Sequence, residues 1–170
     1  MPPSYYVKTI RQLIYWEYAK LMAESAGLSD NFGFIVNRYK ALDAGKITMS
    51  SILKEDQEQL KVGGTCIYCG CEVDLSYDHI IPKSKGGPDN IHNQVLACKK
   101  CNTSKGNKDI FEWYQDTKRI PKLVKGKYLK LVYKFHNKLG TLDRSDMNKD
   151  GKLDVMDLNI FNILFDVWER

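Results

Sequence analysis

Apolar residues recur at three- and four-residue steps through most of the chain, so the pattern is mainly helical. In residues 5–26, Ile10, Leu13, Ile14, Tyr18 and Leu21 share one helical face, and Gly27 is the stop. A second helix is expected from a cap at Ser29 or Asp30 to Gly45, burying Phe34 or Ile35, Tyr39 and Leu42. A third covers about 50–60 and ends before Gly63-Gly64. Residues 73–81 are expected to supply the strands of the finger, Gly86-Gly87-Pro88-Asp89 a loop, and 98–108 a helix, with Ile91, Val95 and Leu96 facing inward. Asp109-Ile-Phe-Glu112 has capping-box spacing and predicts a short helix bearing Phe111, Trp113 and Tyr114, broken by Pro121. In 127–139, Leu131, Val132, Phe135 and Leu139 form one face and Lys127, Lys130, Lys134 and Lys138 the other, up to Gly140. A last helix is expected at 158–168, burying Phe161, Leu164 and Phe165.

This pattern divides the chain into a helical region (1–62), a small finger (63–108), a basic helical extension (109–140) and a C-terminal segment (141–170). The expected class is α+β, mainly helical, with the finger packed between N- and C-terminal helices. At 170 residues and 43% hydrophobic, the chain can bury a core, and no apolar run approaches the roughly 18 residues of a membrane span. Tyr5, Tyr6, Tyr15, Trp16 and Tyr18 lie at helical spacing and read as core more readily than as base-stacking groups. The start of the chain lacks a secretory pattern, and four of five cysteines stand in metal-binding spacing. Both features lead to the expectation of a cytoplasmic protein in a reducing compartment.

Charge changes the picture. The net charge is +5, but residues 1–60 balance to zero, 61–140 carry +8 and 141–170 carry −3. The positive field sits on the finger and the segment after it, as expected for a polyanion partner such as DNA or RNA. An ordinary solvated lysine surface is the plain alternative.

The finger carries the chemistry. Cys66-Ile-Tyr-Cys69 and Cys98-Lys-Lys-Cys101 read as a closed, four-thiolate structural zinc site, with Cys71 as a spare thiol or a substitute for Cys69. Between and beside these pairs stand Asp78-His79-Ile-Ile-Pro82, Asn93 and Asn102, none of which zinc needs. Phosphodiester hydrolysis needs such groups: oxygen ligands for a hard cation, and an imidazole that is largely neutral near pH 7 to take a proton from water. Neighbours on a strand point to opposite faces, so Asp78 and His79 belong where the strand ends or twists. Lys83, Lys85, Lys99, Lys100, Lys105 and Lys108 surround these positions as candidate phosphate contacts. His92 and His136 read as incidental and as a plain surface residue.

Residues 66–105 resemble the HNH endonuclease family in its Cys-x-x-Cys-bearing form. The resemblance implies a ββα-metal finger around one catalytic divalent ion (Mg²⁺ or Mn²⁺), braced by zinc. It implies that Asp78 and Asn102 are ligands of that ion, His79 is the general base, and Asn93 fixes the loop that orients His79. It also implies DNA cleavage that leaves 3′-hydroxyl and 5′-phosphate ends, with a homodimer open as the route to cutting both strands. The rival expectations are a DNA-binding zinc module without catalysis and an interaction protein that uses its C-terminal segment.

That segment holds a second metal-type pattern. Asp146, Asn148, Asp150, Lys152 (through its carbonyl), Asp154 and Asp157 occupy positions 1, 3, 5, 7, 9 and 12 of a loop with Gly151 at position 6. The loop resembles the calcium loops of EF-hands and, in its final aspartate, of dockerins. The resemblance implies structural Ca²⁺; the alternative is a hydrated acidic loop that caps the last helix.

Overall fold

The computed structural model describes residues 5–162. Its helices are α1 (Ile10–Ser25), α2 (Phe32–Asp43), α3 (Leu53–Val62), α4 (Lys99–Lys105), α5 (Ile110–Trp113) and α6 (Lys122–Lys138). Two strands, β1 (Leu75–His79) and β2 (Gln94–Cys98), pair antiparallel from Leu75 opposite Cys98 to His79 opposite Gln94. Two compact units result: residues 1–50 with 132–170, and residues 51–131.

In the first unit α1 and α2 pack face to face. Ile10, Leu13, Ile14 and Ala19 of α1 are fully buried, and Tyr39 and Leu42 of α2 nearly so. Trp16 meets the Tyr39 ring edge-on at 5.6 Å. Thr9 caps α1, and α1 ends before Gly27, whose φ of +71° suits a residue without a Cβ. The cap of α2 is Asn31, accepting from the Phe34 amide at 2.9 Å, and not Ser29 or Asp30. Asn31 satisfies the amide three residues ahead, so the helix starts one or two residues later than the expected caps would place it. The backbone of 142–144 docks on the start of α1, where the Ile10 and Arg11 amides donate to the Arg144 and Leu142 carbonyls at 2.8 Å each. Residues 155–158 form a 3-10 turn and Leu158 is fully buried; Leu164 and Phe165 lie outside the described residues.

His136 is fully buried, against expectation. Its Nδ1 lies 2.9 Å from the Thr141 hydroxyl and its Nε2 3.4 Å from the Leu158 carbonyl. Its place on the last turn of α6 suggested solvent, but the chain folds back over it after Gly140.

The second unit holds the finger between α3 and the first part of α6. The second strand is not within 73–81 but at 94–98, because residues 80–93 form a long loop before the chain returns. Val95 and Ala97 face inward, whereas Ile91 is exposed and Leu96 half-buried. Helix α4 is shorter than 98–108 and stops at Gly106 (φ +52°). The capping box at Asp109 and Glu112 is present, and Tyr128 donates to the buried Asp109 carboxylate at 2.7 Å.

Helix α6 starts at Lys122, directly after Pro121, and Lys127 and Lys130 are not on a solvated face. Lys130 is buried against Glu55 at 2.6 Å, and Lys127 is fully buried. Lys127 donates to Gln59 Oε1 (2.6 Å) and to the carbonyls of Ile91 (2.8 Å) and Gln94 (3.0 Å). Its Nζ also lies 2.9 Å from Asp56 Oδ1, an ion pair without hydrogen-bond alignment. The other Asp56 oxygen meets His92 Nδ1 at 2.6 Å, so His92 is not incidental. Gly126 lets α3 approach: a Cβ there would lie 2.5 Å from Glu55 Oε1.

Burial lowers the His136 pKa to about 4, so the folded chain holds the ring neutral where an unfolded chain protonates it. Stability from this residue is complete above about pH 6.5 and is lost as pH falls toward 4, by roughly 3 kcal/mol over the interval. Urea titrations at pH 7 and pH 5 should show about 2 kcal/mol of this loss in the wild type and a smaller one in His136→Gln.

Candidate catalytic and zinc centre

The zinc ligands come from two backbone turns. The Cys66 amide donates to the Cys71 carbonyl at 2.7 Å and the Gly70 amide to the Cys66 carbonyl at 2.8 Å, which folds 66–71 into a knuckle. Cys98 ends β2 and caps α4, its Sγ accepting from the Cys101 amide at 3.5 Å. That amide, foremost among its neighbours, draws the Cys98 thiol down to about 7, whereas burial pushes the Cys101 thiol well up. The sulfurs of Cys66, Cys69, Cys98 and Cys101 all lie within 4.8 Å of one another. Cys69 and Cys98 are 3.7 Å apart, close to the roughly 3.8 Å edge of a tetrahedron with 2.3 Å Zn–S bonds. The donor set fits zinc. Cys71 stands apart, its sulfur engaged with the Val73 backbone.

Asp78 and His79 close β1. Asp78 is buried, and its carboxylate accepts from the Tyr68 hydroxyl at 2.7 Å. Lys105, 1% exposed, places its ammonium 3.3 Å from the same carboxylate and donates to the His79 carbonyl at 2.6 Å. Burial lowers the Lys105 pKa below the usual lysine range, and Asp78 works against that shift. Burial also pushes the Tyr68 hydroxyl well up, with Asp78 adding to the effect, so Tyr68 stays a donor. Lys105 is therefore not one of the solvent-facing lysines: a buried ammonium spent on Asp78 is out of reach of a phosphate. Asn102 lies one helical turn before Lys105 on the same face of α4, half-buried, and no hydrogen bond to its side chain is found among the described residues.

The His79 ring, 23% exposed, turns the other way. Its Nε2 lies 2.8 Å from Asp89 Oδ1, and Lys83 donates to Asp89 Oδ2 at 2.7 Å. Asn93 is fully buried below. Its Oδ1 accepts from the Ile81 amide (2.9 Å), and its Nδ2 donates to the carbonyls of Ile81 (2.8 Å) and Pro88 (2.9 Å). One amide thus ties both ends of the loop after β1. Gly87 is the other half of this arrangement, because a Cβ there would collide with the Ile81 carbonyl and crowd Asn93 Nδ2. Of the remaining lysines, Lys99, Lys100 and Lys108 are exposed, Lys83 is exposed but paired with Asp89, and Lys85 is half-buried 3.8 Å from Glu112.

Oxygen donors suited to a hard cation are present at the end of β1 and on α4. Each Asp78 oxygen keeps a lone-pair site beyond those used by Tyr68 and Lys105, and the Asn102 amide is uncommitted. In the 146–157 loop the oxygens are spent on backbone. Asp146 accepts from the Asp150 and Gly151 amides, Asp150 from Lys152, Asp154 from Met156, and the buried Asp157 from Asn148 and Asp154. No three of these carboxylates gather as the four cysteines do.

Some of these residues left no mark in the sequence pattern. Tyr68 and Asp89 reach the site through folding of the knuckle and the loop. Lys105 had one usable signal, its three-residue spacing from Asn102.

A hairpin, a following helix and a four-cysteine knuckle around an Asp-His pair define a ββα-metal type finger. Residues 66–108 match the family model described as HNH endonuclease, so the chain carries an HNH endonuclease domain there. A 56-residue stretch, 31% of the chain, is 39% identical to the CRISPR-associated endonuclease Cas9 of Corynebacterium diphtheriae. The chain spans 5% of that protein's length.

Removing the Lys105 charge tests the buried pair. Lys105→Met fills the space but leaves Asp78 uncompensated, which should cost about 3 kcal/mol in urea unfolding. Lys99→Met, on the surface, should cost less than about 0.5 kcal/mol.

Proposed function

We propose that this protein is a metal-dependent nuclease that hydrolyses phosphodiester bonds in DNA at Asp78, His79 and Asn102. The observation that carries the reading is the end of β1, where a buried carboxylate and a solvent-facing imidazole occupy consecutive positions on opposite sides of one strand. A nuclease needs both environments, one to hold a cation and one to meet water.

Asp78 and Asn102 would hold a divalent ion, Mg²⁺ or Mn²⁺. When bound, this ion neutralises phosphate charge and stabilises the leaving oxygen. His79 accepts a proton from the attacking water as its oxygen bonds to phosphorus and the bond to the leaving oxygen breaks. Asn93 keeps the 80–93 loop closed so that the ring stays at the strand end. Lys99, Lys100 and Lys108 supply non-specific attraction to the polyanion, which makes binding salt-sensitive. The family resemblance adds 3′-hydroxyl and 5′-phosphate products, and cutting both strands calls for two copies or two events.

Zinc braces the hairpin against α4 and takes no part in the chemistry. Calcium in the 146–157 loop belongs to this reading as a structural ion. It is supported by the oxygen spacing and by Gly151 at φ +82°, and each Asp146 oxygen keeps a lone-pair site beyond the amide it accepts from. No helix among the described residues is long and apolar enough to cross a membrane. A reducing cytosol is the setting that keeps the four thiols available.

Supercoiled plasmid with Mg²⁺ or Mn²⁺ should be nicked or linearised by the wild type. His79→Ala should keep its zinc and bind DNA, but cleave at least about 100-fold more slowly. Equal cleavage by the two proteins would remove His79 from the mechanism.

A further inference from the structure

We propose that Asp89 is a positioning residue for His79, holding the ring by its Nε2 hydrogen and leaving Nδ1 as the atom that takes the proton. The proposal rests on the nuclease reading for the use of Nδ1, but not for the contact itself.

Three groups converge on the Asp89 carboxylate. His79 Nε2 lies 2.8 Å from Oδ1, Gln94 donates its amide to the same oxygen at 3.0 Å, and Lys83 donates to Oδ2 at 2.7 Å. An ionised carboxylate only accepts, so each partner must donate, and the neutral ring must carry its hydrogen on Nε2. The remaining lone pair is then on Nδ1. Lys83, and after it His79, hold the Asp89 carboxyl down at about 2, so it is an acceptor throughout the neutral range. Gln94 lies directly opposite His79 in the hairpin, which brings strand register into the arrangement.

The backbone places Asp89 with some care. It follows Pro88, whose carbonyl accepts from Asn93, and Gly86 turns the loop at φ +88°. The Asn93 clamp therefore acts on His79 at one remove: it fixes Pro88, and Pro88 presents Asp89. Lys83 has a corresponding role. Although exposed, its ammonium is committed to orienting Asp89 before any phosphate arrives. Without Asp89 the imidazole would keep only the 3.4 Å approach of the Gln94 amide to Nε2, and would sample several rotamers and both tautomers.

The test uses the zinc-loaded full chain. Without Mg²⁺ or Mn²⁺, ¹H–¹⁵N spectra should show a solvent-protected Nε2–H resonance for His79. Asp89→Ala should lose it, and Asp89→Asn, which keeps an acceptor oxygen, should retain it. In cleavage assays Asp89→Ala should lower kcat roughly 10- to 100-fold with KM little changed, and Asp89→Asn should recover part of the loss. Unchanged zinc content and thermal midpoint would set aside a folding defect. A protected resonance that survives Asp89→Ala, or a loss confined to KM, would overturn the proposal. If the resonance behaves as expected but the wild type cleaves no DNA, the contact stands and the nuclease reading fails.

Discussion

The site depends on one buried ion pair. Asp78 is nearly out of water, and an uncompensated carboxylate there would cost several kcal/mol or be protonated. Lys105 compensates it and also holds the His79 carbonyl, so a single ammonium ties the end of β1 to the helix that bears Asn102. Tyr68 brings the zinc knuckle to the same carboxylate. Strand, helix and knuckle meet at one side chain that also has oxygen to offer a cation.

Around this pair the second unit is fastened by polar groups as well as by buried apolar residues such as Ile80, Ile81, Val95, Ile110 and Val124. Asn93 and Gly87 close the long loop, and Lys127 reaches from α6 to the carbonyls on either side of Asn93. Asp56 binds Lys127 and His92, and Glu55 binds Lys130 across the gap that Gly126 leaves open. Buried charged groups fix geometry well because each partner left alone is costly. A small finger with little core gains from such fastening the rigidity its chemistry requires.

The sequence showed local features well and convergent ones poorly. Both cysteine pairs, the Asp78-His79 strand end and the Asp109 capping box were legible because each is written in a few adjacent residues. The second strand was misplaced because nothing local announces a loop of fourteen residues between paired strands. Lys105, Lys127 and Lys130 were read as surface because lysine on a polar helical face has no mark that separates solvent from a buried carboxylate. His136 was misread for the same reason: its cover arrives from residues 141 and 158. Asp89 carried no signal, since its meeting with His79 depends on how the loop closes.

The central claim is that Asp78 and Asn102 share one cation beside His79. Mn²⁺ binding to the zinc-loaded protein, followed by electron paramagnetic resonance, measures this without any turnover. The account requires a Mn²⁺ site in the wild type, separate from any ion in the 146–157 loop, that is retained in His79→Ala and weakened at least about 10-fold in both Asp78→Asn and Asn102→Ala. Undiminished Mn²⁺ binding in either ligand variant would contradict it.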